Sequence, residues 1–158
     1  MAFITGILAL SGFMLLVLGL VSVTLYILAS LGLSYVLAIL GFQYRFLAWI
    51  PVVNLFALAL AVGDSDGSCR WFGVRMPSVL FAVIVTAVYY GAFGIDGWVK
   101  FILVCLACGR MYQLVYSKIE GLPESDTALL GYLSVVIGII PLVKFLIYRH
   151  NGLKGPWS

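Results

Sequence analysis

The sequence predicts an all-α protein, an integral membrane bundle of about five transmembrane helices, with four or six spans as alternatives. The first charged residue is Arg45, so the 44 residues before it carry no charge. Hydrophobic residues make up 64% of the chain and charged residues 9%, against roughly 45–50% and about 25% in soluble domains. We expect one transmembrane domain over residues 1–148 and a short polar tail over residues 149–158, which leaves no separate soluble domain.

The first two apolar segments cover residues 3–40 and 46–62. A span needs roughly 20 apolar residues, so the first is long enough for one tilted helix, for a helix that breaks near Gly32, or for two spans. It lacks the basic start of a secretory signal and is too long for one, so we expect a retained anchor. The second segment carries Pro51 in its first turn, where the missing N–H costs little. It is short, and a re-entrant segment is the alternative.

Three further spans are predicted beyond a polar loop at residues 64–76. They cover residues 77–95, 98–116 and 127–148. Gly121-Leu122-Pro123 is expected to end the fourth helix, and Ser125 or Asp126 to cap the fifth.

Basic residues orient such a bundle, because the cytoplasmic side carries more Lys and Arg. With five spans, Arg45, Lys100, Lys144, Arg149 and Lys154 lie on one side and Arg70, Arg75, Arg110 and Lys118 on the other. This near balance leaves the orientation open. The absence of positive charge from the first 44 residues favours an N-terminus outside.

Two stretches of the chain carry a resemblance to a known family. They are GFQYRFLAWIPVVNLFALALAVGD at residues 41–64 and MYQLVYSKIEGLPESDTALLGYLSVVIGIIPLVKFLIYRHN at residues 111–151. The chain resembles a family of small, uncharacterised polytopic membrane proteins of Gram-positive bacteria, in which a Trp-x-Pro-x-x-Asn pattern starts the second helix. The resemblance implies a polytopic architecture in a bacterial cytoplasmic membrane and no particular activity.

Cysteines suggest one enzymatic alternative. Cys105 and Cys108 lie three residues apart, on one face of the fourth predicted span. Such a pair is typical of membrane thiol oxidoreductases of the vitamin K epoxide reductase type, with Cys69 as an imagined shuttle partner. That relay needs two loop cysteines, and the loop has one. We therefore favour Cys105 and Cys108 as small packing residues. We expect no metal site and no cofactor.

A few polar residues within the predicted spans are candidates for function. Charges inside a membrane are costly and often functional. Lys100 and Lys144 lie near predicted helix ends, where they can snorkel to the interface, and Asp96 is placed to pair with Lys100. Arg110 lies deeper and is the best candidate for a buried functional charge. Asn54 and Thr86 are expected to hydrogen bond between helices, or to line a transport path together with Arg110.

Small residues recur at a spacing that brings them onto one helix face, where they let helix backbones approach closely. The helix-packing candidates are Ser30, Ser34, Ala38, Gly91, Gly109, Ser134 and Gly138. This spacing predicts packing within the bundle or against a partner.

No catalytic constellation stands out in the sequence. The favoured hypothesis is therefore a non-enzymatic accessory or assembly subunit of a larger complex in a bacterial cytoplasmic membrane. A small homo-oligomeric transporter or channel and a membrane thiol-disulfide oxidoreductase are the alternatives. Expected partners are the lipid bilayer and other membrane subunits or further copies of the chain. Because the nine Lys and Arg residues are scattered, we expect no nucleic-acid partner.

Overall fold

The computed structural model describes residues 2–92, 94 and 97–152, with side chains described from Ser11 onward. The all-α class is confirmed, with one small β-hairpin in addition. The described elements are α1 (Ala2–Ile39), a 3₁₀ helix (Arg45–Trp49), α2 (Val53–Ala61), β1 (Ser68–Trp71), β2 (Val74–Pro77), α3 (Ser78–Tyr90), α4 (Gly97–Glu120), α5 (Glu124–Val136) and α6 (Ile139–His150).

The first apolar segment is one continuous helix. α1 has 38 residues, about 57 Å of helix at about 1.5 Å per residue. The break that the sequence suggested near Gly32 does not occur. Gly32 instead lets α6 approach, since a Cβ there would lie 3.0 Å from Cβ of Phe145. Residues 11–25 are exposed on every face of α1, whereas the last third of the helix packs into the body.

The second apolar segment enters the body and returns to the same end of α1. The 3₁₀ helix runs back along α1, where the hydroxyl of Tyr26 donates to the carbonyl oxygen of Trp49. After a turn at Pro51, α2 leads back until Ala61 lines a cavity together with Ile39. α2 has nine residues, about 14 Å of helix, which is too short to cross a bilayer. Residues 46–62 therefore do not form one straight helix of membrane-spanning length.

The polar loop contains an antiparallel hairpin of β1 and β2, in which Cys69 lies opposite Met76 and Arg70 opposite Arg75. α3 follows directly and ends at Gly91, whose φ of 75° suits a left-handed helix cap. α3 is shorter than the predicted third span over residues 77–95. Part of that prediction, together with Asp96, falls on residues outside the described ranges.

The predicted fourth span is longer in the structure, and the predicted fifth is two helices. α4 has 24 residues, about 36 Å. α5 and α6 are separated at Ile137 and Gly138. Pro141 explains the break. Its ring would clash with the carbonyl group of Ile137, four residues earlier, and it has no N–H to donate to that group. The expected caps at Ser125 and Asp126 are wrong, since Pro123 holds the cap position without a side-chain hydrogen bond.

α5 and α6 together form a helical hairpin that returns to the end of α4. Three residues separate α4 from α5. Lys144 and Tyr148 of α6 both contact Glu120, the last residue of α4. Lys118 of α4 also contacts Asp64 and shares a cavity with Ile39, the last residue of α1. We call the end of the body that holds Ile39, Asp64, Lys118 and Glu120 the charged end.

Among the described residues, two helices are long and apolar enough to cross a membrane. They cover Ser11–Ile39 and Gly97–Glu120. These two helices are compatible with a membrane location, while the count of five spans stays a prediction.

Candidate functional site

Arg110 is a buried charge near the middle of α4 that contacts the hairpin and the start of α5. The residue is 7% exposed. Its Nε and Nη2 donate to the carbonyl oxygen of Arg70 at 3.2 and 2.9 Å, and Nη2 also pairs with Oε2 of Glu124 at 2.6 Å. One side chain on α4 thereby binds the hairpin and the start of α5. The sequence singled out Arg110 as the best candidate for a buried functional charge; the structure shows the side chain buried and paired.

The crossing of α5 over α4 centres on Gln113. Its Nε2 donates to the carbonyl oxygen of Glu124 at 2.6 Å, and its own carbonyl oxygen accepts from the hydroxyl of Thr127 at 3.2 Å. A Cβ added to Gly131 would lie 2.6 Å from the backbone nitrogen of Gln113. Only glycine fits at this contact. The four-residue spacing of small residues did not identify Gly131, although an isolated glycine inside a helix usually has a packing reason.

A polar cavity of about 190 Å³ lies between the hairpin and α4. It is lined by Val62, Asp64, Cys69, Arg70, Arg75, Leu114, Ser117, Lys118 and Glu124. Lys118 pairs with Oδ1 of Asp64 at 2.9 Å and donates to the carbonyl oxygen of Gly63 at 2.8 Å. Both carboxylates that line the cavity are thus used, Asp64 by Lys118 and Glu124 by Arg110.

The loop that leads into the hairpin has its own hydrogen bonds. Oδ1 of Asp66 accepts from the hydroxyl of Ser68 at 2.7 Å and from its backbone N–H at 3.0 Å. These two hydrogen bonds, with a smaller contribution from the positive charge of Arg75, lower the pKa of Asp66. Cys69 is 2% exposed, and burial raises the pKa of its thiol. A buried, protonated thiol is a poor shuttle for electrons.

A second polar cluster joins α4 to α6. Nζ of Lys144 and the hydroxyl of Tyr148 bind Oε1 of Glu120 at 2.6 and 2.5 Å. The same ammonium group lies 5.8 Å from the ring centre of Tyr116, within range of a cation–π contact. Lys144, which the sequence predicts to snorkel, pairs with Glu120 at the end of α4. At the far end of α4, Nζ of Lys100 lies close to Gly91, 2.8 Å from where a Cβ would be.

The three transport candidates do not meet in the structure. Asn54 lines a mostly apolar cavity of about 190 Å³ among α1, α2, α4 and α6. Thr86 donates to the carbonyl oxygen of Ala82 within its own helix at 2.7 Å, and Arg110 contacts the hairpin and Glu124. The apolar cavity also includes Ser30, whose buried Oγ has no hydrogen-bond partner among the described residues.

The cysteines of α4 are free thiols. Cys108 is buried and Cys105 is half-buried. Within the described ranges, no three His, Cys, Asp or Glu side chains come close enough together to hold a metal ion.

The small residues predicted to pack have different surroundings. A Cβ on Gly109 would lie 2.3 Å from the ring of Tyr132, and Oγ of Ser134 is hydrogen bonded to the hydroxyl of Tyr116 at 2.8 Å. Gly91 caps α3, and no atom lies within 4 Å of a Cβ on Gly138. On α1, Ser30 is buried, and Ser34 and Ala38 are half-buried. Sequence reasoning missed Gly32, Gly63 and Gly131, which make close contacts.

Comparisons with protein-family models, with characterised proteins and with solved structures find no match to this chain.

Proposed function

We propose that this chain is a polytopic protein of a bacterial cytoplasmic membrane and a non-enzymatic accessory or assembly subunit of a larger membrane complex. The observation that carries the proposal is a solvent-exposed, uncharged stretch of α1. Residues 11–25 are exposed on every face and carry no charge. Burial of apolar surface is favourable by roughly 25 cal/mol per Å², so a helix of this kind needs lipid or another membrane helix around it. The bacterial location rests on the resemblance of residues 41–64 and 111–151.

The membrane arrangement that fits these contacts has three crossings. α1 and α4 cross as long helices. α3, with 13 residues, is shorter than a full span, but it is placed as the third crossing because it leads from the hairpin at the charged end towards the start of α4. The 3₁₀ helix with α2, and α5 with α6, enter and leave at the charged end. Three crossings and the five predicted from the sequence both put the N-terminus and the C-terminus on opposite sides of the membrane.

This arrangement also orients the chain. The charged end and its loops hold Arg45, Arg70, Arg75, Lys118, Lys144 and Arg149. Lys100 lies at the opposite end of α4. Because Lys and Arg are enriched on the cytoplasmic side, we place the charged end in the cytoplasm and the N-terminus outside.

A docking surface for a partner helix supports the role of a subunit. Gly12 and Gly19 are seven residues apart and so lie on one face of the exposed stretch of α1. No atom lies within 4 Å of a Cβ on either residue. Small residues on an apolar helix let a second backbone approach closely. The buried charges of the body, by contrast, are taken up by contacts between its own elements.

The subunit proposal is tested by affinity capture from native membranes in mild detergent, followed by native mass spectrometry. A partner at fixed stoichiometry, lost in a Gly12→Leu/Gly19→Leu variant, is expected. Met14→Leu/Val21→Leu is the matched control, since it places leucine on the opposite face. A monomer without partner from native membranes would overturn the proposal.

The arrangement is tested separately by labelling single cysteines in a variant that lacks the native ones. Arg45→Cys, Ser65→Cys and Leu122→Cys are expected to react with an impermeant maleimide from the cytoplasmic side, and a tag on the N-terminus from the outside. Labelling of Arg45→Cys and Ser65→Cys from opposite sides would restore a straight second span.

A small homo-oligomeric transporter is the second candidate, favoured by the apolar cavity. This cavity is lined by Asn54, the second residue of α2, and by Gly138, which directly precedes α6. Membrane transporters build binding sites where helices are interrupted within the bilayer. A closed homo-oligomer in the same native mass spectrum would favour this candidate over the subunit.

A further inference from the structure

We propose that the hairpin of β1 and β2 binds the phosphate group of a membrane phospholipid between Arg70 and Arg75. The two arginines are directly opposite each other on adjacent strands, so their side chains project from the same face of the hairpin. Like charges in this position repel. Neither forms an ion pair with a carboxylate among the described residues.

The backbone holds the two guanidinium groups together in spite of this repulsion. The carbonyl oxygen of Arg70 accepts two hydrogen bonds from the buried Arg110, at 2.9 and 3.2 Å. β1 is therefore fixed to α4, and Arg75 is fixed through its pairing with β1. An anion between the side chains would relieve the repulsion. Arginine is the preferred cation for this task, because its planar group matches a phosphate with two parallel hydrogen bonds.

The charge balance of the polar cavity indicates the charge of the ligand. Arg70 and Arg75 line this cavity with Asp64, Lys118 and Glu124. Asp64 is neutralised by Lys118, and Glu124 by Arg110. The nearby Asp66 is exposed and directs its carboxylate at Ser68, while it lies close enough to Arg75 to feel its charge. The cavity therefore presents two unpaired guanidinium groups, which suits an anionic phosphodiester.

The turn of the hairpin favours a lipid over free phosphate. Phe72 and Gly73 both have positive φ, 47° and 86°, as in a type I′ turn, where Asn-Gly is strongly preferred. A phenylalanine in the left-handed region is strained, and this one is 59% exposed, next to Val74 at 63%. The ring of Phe72 contacts that of Trp71, with centroids 5.9 Å apart, but most of its surface stays exposed, so packing alone does not account for the strained backbone, which is a sign of function. An apolar tip beside two cations matches the boundary between acyl chains and headgroups, whereas a phosphate ion would need no such tip.

The site rests on the proposed membrane location, so its test is separate from the capture and labelling experiments. The purified protein is exchanged into micelles with equal amounts of phosphatidylglycerol and phosphatidylcholine, and retained lipid is counted by native mass spectrometry. The parent is expected to retain one phosphatidylglycerol in preference to phosphatidylcholine. Arg70→Gln/Arg75→Gln is expected to lower that retention about tenfold through the loss of two charge-assisted contacts. The carbonyl oxygen of Arg70 persists in this variant, so the contact with Arg110 is kept.

Arg45→Gln/Arg149→Gln is the matched control, since it removes the same charge from exposed positions at the same end, and it is expected to retain the lipid. Equal loss in this control would overturn the site in favour of general charge attraction. Arg70→Lys/Arg75→Lys keeps the charge and is expected to lose part of the binding. Full retention in that variant would contradict recognition by the planar guanidinium groups.

Two further measurements distinguish the source of the phosphate. Phe72→Asn is expected to weaken lipid retention while it relieves strain in the turn and raises the unfolding temperature. Inorganic phosphate at millimolar concentration is expected not to displace the lipid. Displacement by phosphate that depends on Arg70 and Arg75 would overturn the lipid proposal in favour of a soluble phosphate ligand. If the parent protein retains no phosphatidylglycerol while its cysteines label as expected, this site is refuted and the membrane arrangement stands.

Discussion

Arg110 and Glu124 form an unequal ion pair, in which the arginine side chain is 8% exposed and the glutamate side chain 45%. The pair exists because the chain folds back after Glu120, so that the first residue of α5 lies beside the middle of α4. Water solvates the carboxylate, while the guanidinium depends on Glu124 and the carbonyl oxygen of Arg70. The two partners should therefore respond differently to substitution.

Glu124→Gln is expected to lower the free energy of unfolding by about 1–3 kcal/mol, because it leaves a buried charge with an incomplete set of partners. In Arg110→Met/Glu124→Gln the buried charge is gone, and the combined loss should be smaller than the sum of the two single losses. The measurement is a double-mutant cycle by sodium dodecyl sulfate titration in mild detergent. Asp64→Asn breaks the more exposed pair with Lys118 and serves as control, with a cost of about 0–1 kcal/mol. Equal costs for Glu124→Gln and Asp64→Asn would contradict this account.

Gly131→Ala is expected to destabilise the crossing of α4 and α5. The added methyl carbon would lie 2.6 Å from the backbone nitrogen of Gln113 and 2.8 Å from its Cα, and backbone cannot move aside cheaply. The free energy of unfolding should fall by about 1–3 kcal/mol. Gly138→Ala is the matched control, since nothing lies within 4 Å of its added carbon, and it should stay within about 1 kcal/mol of the parent. Thermal unfolding of both variants decides the matter, and equal midpoints would show that the helices do not meet at Gly131.

Hydropathy predicted the helical class, because an uncharged apolar run such as residues 3–40 is typical of a membrane helix. It left open whether residues 3–40 form one helix or two. Hydropathy could not distinguish a segment that crosses the membrane from one that enters and leaves on the same side. Residues 46–62 are as apolar as a span. The hydrogen bond between Tyr26 and Trp49 and the cavity that Ile39 shares with Ala61 show that this segment turns back. Pro141 was visible in the sequence, but its effect depends on whether the packing around it tolerates a kink. Arg110 stood out by its depth in a span, whereas Glu124 looked like an ordinary residue after a turn.

The cysteines are expected to be redox inactive. Cys105→Ala/Cys108→Ala should retain the fold and the partner of the parent, and mild oxidation should produce no disulfide between the two thiols when peptides are analysed by mass spectrometry. Cys69 should resist a water-soluble maleimide at pH 7, because it is 2% exposed and burial raises its pKa. Ser65→Cys, in the exposed part of the same loop, is the reactive control. A reversible Cys105–Cys108 disulfide would instead revive the oxidoreductase alternative.

The loop before the hairpin should weaken in acid, through Asp66. Hydrogen bonds from Ser68 hold the pKa of Asp66 below its ordinary value of 3.8. A carboxyl group with a lower pKa in the folded state stabilises the fold fully above its unfolded pKa, and this contribution is lost as pH falls through the folded value. The carboxyl ¹³C shift of Asp66 should therefore titrate below pH 3.8, and Ser68→Ala should raise the midpoint. Arg75→Gln should raise it less, because the charge of Arg75 is a smaller cause than the hydrogen bonds from Ser68. A midpoint that Arg75→Gln moves further than Ser68→Ala would show that charge, not hydrogen bonding, sets this pKa.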